Sequence, residues 1–125
     1  MPHRFLIFAA ISLFLAVAFG AFGAHGLRGT ISDASMAIYQ TAVQYQFWHS
    51  LGLALVAVLA SQYPAARSLR WAGWLLVAGI LIFCGSLYVL VLAGLPWLGA
   101  ITPIGGTAFL AAWASLALFA RSYGK

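Results

Sequence analysis

Charge is what this sequence most lacks. Its 125 residues include 6 Lys or Arg and a single acid, Asp33, so that only 6% are charged. A water-soluble domain of this length needs far more charged surface, which excludes the soluble globular class. The one cysteine, Cys84, lies inside an apolar run. It can form no intrachain disulfide and points to no redox compartment. Nothing beside it in sequence would hold it as a thiolate, so it reads as a packing residue. With one acid there is no carboxylate pair, and neither a glycine-rich phosphate loop nor triad spacing occurs. No cofactor is expected. The formal charge of +5 would suggest nucleic acid in a soluble chain. Here the basic residues are too few and too scattered for a phosphate-binding stripe, and they read as topology signals flanking membrane spans.

What is present is apolar: 65% of residues are hydrophobic and the mean hydropathy is +1.04. A helix needs roughly 20 apolar residues to cross the hydrocarbon, so the chain has room for about four spans. The expected spans are 5–23, 37–61, 71–93 and 103–120, in one transmembrane domain covering 1–125. The AFG before Ala24 resembles a signal-peptide cleavage site, but the preceding apolar run is long for a signal core, and the segment is expected to stay as a helix. Ser32 or Asp33 suits the N-cap of the second helix, which runs from about residue 34. Pro64 stops that helix. Gly94 suits the C′ position of the third, with Pro96 beyond it, and Thr102–Pro103 read as a cap and first-turn proline for the fourth. Gly20 and Gly23 allow close backbone approach on the first helix, while Gly26 and Gly29 suit a turn. Gly85, Gly105 and Gly106 are further packing candidates.

The basic residues orient the chain. Arg4, Arg67, Arg70, Arg121 and Lys125 fall on one side, against Arg28 and Asp33 on the other. The positive-inside rule then puts both termini in the cytoplasm. The expected fold is an all-α membrane protein, a compact bundle of four transmembrane helices.

The most polar stretch is 40–52, QTAVQYQFWHSLG, and it leads straight into the apolar LALVAVLA. Polar groups in hydrocarbon need partners. Counted from Thr41 as the outer edge, helix rise puts Gln44 about 5 Å deep, Gln46 about 8 Å and His49 about 12 Å. Counted from Gly94, Tyr88 lies about 9 Å deep and Ser86 about 12 Å; Thr107 is about 6 Å below Pro103. The outer half is therefore expected to hold a polar cluster of His49, Gln44, Gln46, Tyr45, Ser50, Tyr88, Ser86 and Thr107, with His25 near its mouth. His49 is expected to bond a polar group on another helix, or a water held by one, with Tyr88 and Gln46 of a neighbour as the candidates. His25 stands about 12 Å in height from His49 and His3 is on the other side, so no metal site is expected. Gln40, Gln44 and Trp48 share one face of the second helix; Tyr45, His49 and Gly52 share another, and Gln46 and Ser50 a third. Polarity on every side argues for oligomerisation.

Four ordered motifs, FGAHGL (22–27), QYQFWHSLGL (44–53), GSLY (85–88) and LGAITPIGG (98–106), resemble the YgdD/YwdK-like family of small bacterial inner-membrane proteins. The resemblance spans nearly the whole chain. It implies a four-helix, multi-pass protein of the bacterial inner (plasma) membrane and carries no known activity. Cys84 stands where it leads one to expect serine. The first functional reading is association in the lipid bilayer, as a homo-oligomer or with a partner membrane protein. A carrier or channel for a small polar solute comes second, and a lipid- or quinone-directed enzyme with His49 as its base third.

Overall fold

The computed structural model describes residues 2–123, so Lys125, counted above among the basic residues, lies outside the described residues. The order is α1 (Pro2–Phe22), a π-helical turn (Gly23–Leu27), α2 (Asp33–Gln62), α3 (Arg67–Gly79), a second π-helical turn (Ile80–Cys84), α4 (Gly85–Ala93), a 3-10 turn (Pro96–Ala100) and α5 (Thr102–Ser122). α3, its π turn and α4 run on as one long third helix. Among the described residues, four helices are thus long and apolar enough to cross a membrane. All of its described regular structure is helical.

The helices extend beyond the apolar spans because charge ends a span without ending a helix. Arg4, Arg67 and Arg70 are helical residues. α2, with 30 residues, is about 45 Å long, more than the hydrocarbon thickness, and must tilt or project. The termini follow local chemistry. The Ser32 hydroxyl accepts from the Ser35 amide at 3.0 Å and caps α2. Gly94 ends α4 in the left-handed conformation (φ 66°). Thr102 lies inside α5 and does not cap it; its hydroxyl turns to Leu98 O and Ser86.

α1 lies along α2, and α3 lies along α5. α2 also packs against all three parts of the third helix, joining the two hairpins. Lipid removes the hydrophobic incentive for helices to associate, so close packing must do that work. Aromatic rings seated over glycines supply it. Phe5 of α1 covers Gly73, Phe109 of α5 covers Gly79, Tyr39 of α2 covers Gly23, and Trp113 of α5 covers Gly52; a Cβ at any of these glycines would overlap the ring. Gly105 is tighter still, because its Cβ would meet the backbone of Phe83 in the second π turn. That turn carries one extra residue, which bulges the third helix toward α5.

Of the glycines expected to pack, Gly23 and Gly105 do so by contact that a side chain would destroy. At Gly20 a Cβ would find Val43 at 3.5 Å, and at Gly106 it would find Phe83 at 3.7 Å, both ordinary spacing. Gly85 has nothing within 4 Å of a built Cβ and is not a packing glycine. It borders a hollow shared with Phe8, Ile11, Ser12 and Leu15 of α1.

Candidate functional site

Three helices meet in one hydrogen-bonded group at mid-bundle. Gln46 of α2 is its centre. Its Nε2 donates to the Ser12 carbonyl of α1 at 2.9 Å and approaches the Ser12 hydroxyl at 3.3 Å. Its Oε1 accepts from the Tyr88 hydroxyl of α4 at 2.6 Å. One turn along α2, Ser50 donates to Ser12 Oγ at 2.6 Å. The carboxamide can point only this way, since a carbonyl on one side needs a donor. Ser12, Gln46 and Ser50 are buried, and Tyr88 is half-buried. The Tyr39 hydroxyl adds a bond to the Phe19 carbonyl of α1. Phe19 and Tyr39 both set ring edges against Tyr88, with centroids at 5.0 and 5.5 Å, and roof the group toward the Asp33 end. Among the described residues, every buried side-chain nitrogen and oxygen has a hydrogen-bond partner. The group works as a latch from α1 through α2 to α4.

His49 stands apart on another side of α2. It is 6% exposed. Its Nδ1 lies 2.8 Å from the Tyr45 carbonyl of its own helix, so Nδ1 carries the proton and the neutral ring keeps Nε2 as an acceptor. Within the chain it makes no bond to Tyr88, whose hydroxyl donates to Gln46 Oε1. His49 is stacked instead on Phe109 of α5, with centroids at 3.6 Å and planes at 19°. Tyr45 flanks it at 5.5 Å and Trp113 at 5.6 Å. Tyr45 in turn stacks on Phe83 at 4.6 Å. The face of α2 bearing Tyr45, His49 and Gly52 is thus an aromatic seam to α5 and the second π turn.

The other expected members divide. Ser86 is buried and pairs with Thr102 Oγ1 at 2.6 Å, tying α4 to the start of α5. Thr107 is exposed and bonds only the Pro103 carbonyl of its own helix. Gln44 and His25 are exposed and join neither group. The single outer cluster therefore separates into a latch, an aromatic seam and a Ser86–Thr102 clasp, because the α2 side chains radiate toward different neighbours. Ser12 is the member the sequence reading missed. Counted from Gly23, it lies about 16 Å deep, near the roughly 13 Å of Ser50 but well below the roughly 8 Å of Gln46 counted from Thr41, so depth alone pairs it with Ser50 only. Among the described residues, no three His, Cys, Asp or Glu side chains gather as a metal site would require.

Four apolar helices locked by an internal polar latch define a small multi-pass membrane protein. The chain belongs to the family described as protein of unknown function DUF423, whose model matches residues 19–106. It is 48% identical over 119 residues to the UPF0382 membrane protein YwdK of Bacillus subtilis, covering 95% of this chain and 97% of that one. A UPF0382 membrane protein of Staphylococcus haemolyticus is 46% identical over 112 residues, covering 90% of each chain. One from Staphylococcus saprophyticus is 40% identical over 114 residues, covering 91% and 93%. These relatives establish the likeness read from the four motifs. No solved structure matches the chain.

Proposed function

We propose that the protein acts by association within the bilayer, as a homo-oligomer or an accessory subunit, docking through the face that Gln40 and Gln44 share. The observation that carries this is their position. Both are exposed on α2, and among the described residues neither carboxamide bonds within the chain. Gln44, about 5 Å below the outer edge, sets a carboxamide toward hydrocarbon, which is costly until a second chain supplies a partner. Beside them a hollow of about 330 Å³ opens between α1 and α2, bordered by Gly20, Gly23, Tyr39, Val43 and the two glutamines. Small residues at its edge admit a neighbouring helix closely. A twofold pairing would bring the two Gln44 carboxamides together.

Disulfide trapping in native membranes tests this in a Cys84→Ala background. Gln44→Cys is expected to give dimers on oxidation. Leu110→Cys, on α5 and 73% exposed, is the control and is expected to give none. Equal trapping at both sites, or none at Gln44→Cys, would refute self-association.

The carrier reading requires a polar path beyond the latch. The buried wall there is Leu53, Val56, Ala57 and Ala60 of α2 with Leu69, Ala72 and Leu76 of α3, which weighs against it. The enzyme reading makes His49 the base, and the one polar contact its ring makes within the chain is to the carbonyl of its own helix.

The same proposal sets the protein in the bacterial inner (plasma) membrane with both termini cytoplasmic. Arg4, Arg67, Arg70 and Arg121 lie at one end of the helices, and Arg28 with Asp33 at the other. A membrane-impermeant maleimide added from outside is expected to label a cysteine placed at Thr30 and to miss one at Ser68. The opposite pattern would invert the topology.

A further inference from the structure

We infer that the start of α3 binds the phosphodiester headgroup of an anionic glycerophospholipid, in a hollow formed by Arg67, Arg70, Trp71 and Trp74. The hollow measures about 420 Å³, within the range of small-ligand sites. Helical spacing gathers its walls on one face, since Arg67, Trp71 and Trp74 follow each other at four and three residues and Arg70 lies one turn before Trp74.

The charge there is uncompensated. Arg67 is exposed, and Arg70 makes only a long bond of 3.4 Å to the Pro64 carbonyl. The only acid in the sequence, Asp33, begins α2 at the opposite end of the bundle, about 45 Å away along that helix. α3 also opens without an acid in its first turn and without a side-chain cap from Ala66. Two cations therefore stand where a helix disfavours positive charge, and no acidic side chain at that end offsets them. Two guanidiniums side by side suit a phosphodiester, whose oxygens accept their paired N–H groups.

The tryptophans indicate that the phosphate comes from lipid. Trp71 is 63% exposed and Trp74 46% exposed, directly on the membrane side of the arginines. Trp74 is braced by Phe5 of α1 in an edge contact, with centroids at 5.2 Å and planes at 78°. Exposed indoles beneath paired arginines match a ligand that is charged at its head and apolar below it. Free phosphate would use only the upper half of such a site.

Delipidated protein in detergent, titrated with phosphatidylglycerol, phosphatidylcholine or inorganic phosphate and read by native mass spectrometry, tests the inference. Phosphatidylglycerol is expected to bind, and the other two are expected not to. Arg67→Gln and Arg70→Gln should each weaken binding about fivefold, and the pair about thirtyfold. Arg121→Gln, at the same end of the bundle but outside the hollow, should leave binding unchanged. Phosphatidylcholine binding as tightly, inorganic phosphate competing on equal terms, or Arg121→Gln weakening binding as much as Arg67→Gln would each overturn the site. The single variants decide the matter if the double variant does not fold.

Discussion

Gly105→Ala is expected to cost about 3 kcal/mol of stability and to leave little folded protein in the membrane. The loss is at the top of the usual overpacking range because of what the methyl group meets. A Cβ at Gly105 points at the backbone of Phe83, including its amide nitrogen, and not at the far end of a flexible side chain. Phe83 sits in the Ile80–Cys84 π turn, and its ring is held against Tyr45 at 4.6 Å. Neither the main chain nor the ring can yield without separating α5 from the third helix. Gly85→Ala is the matched control. The same added methyl group finds open space there, and replacing a mid-helix glycine by alanine is expected to be neutral or to stabilise by up to about 1 kcal/mol. Melting of the two variants in one detergent checks the contrast. Equal loss in both would mean that helix flexibility, and not contact, is what these glycines provide.

Gln46→Leu is expected to destabilise the bundle by about 2 kcal/mol. It removes the bonds to Tyr88 and Ser12 and leaves the Tyr88 hydroxyl without a partner, while Ser12 Oγ keeps its bond from Ser50. An unsatisfied buried group costs about 1–3 kcal/mol, while hydrogen bonds between membrane helices average about 0.6 kcal/mol. Three lost contacts at the membrane value come to about 2 kcal/mol, within the range for one orphaned group. Tyr88→Phe removes only one contact and should cost about 0.6 kcal/mol. The double variant should then cost clearly less than the sum, because each single change already breaks the bond the two residues share. Strict additivity in unfolding measurements would show that the bond between Tyr88 and Gln46 contributes nothing.

The four helices were legible because hydrophobic length alone announces a membrane span. Their ends were legible where a residue has only one local use, as with the Ser32 cap, the left-handed Gly94 and the stop at Pro64. Faces were harder to read. α1 is apolar all round, so no stripe says which side meets α2, and its one buried hydroxyl, Ser12, looks like an incidental serine in FAAISLFLA. On α2 the polar residues could be placed in depth but not apportioned among neighbours. Which of Gln46, Ser50 and His49 meets α1, α4 or α5 depends on helix order in the bundle, and sequence periodicity does not encode that order. The two π turns were equally hidden. Each inserts a residue and rotates everything beyond it, and the second carries Phe83, whose backbone lies against Gly105. The aromatic-over-glycine pairs Phe5–Gly73, Phe109–Gly79 and Trp113–Gly52 join distant parts of the chain and leave no local signature.

With the internal polar groups spent on holding helices together, the exposed Gln40–Gln44 face is where a second chain would act. The most direct measurement is the mass of the protein extracted from its membrane in polymer nanodiscs with its native lipid. A dimer or larger complex is expected. Gln44→Leu should reduce it to monomer without changing the melting temperature, because Gln44 makes no bond within the described chain. A monomeric native protein, or a complex indifferent to Gln44→Leu, would contradict association through this face.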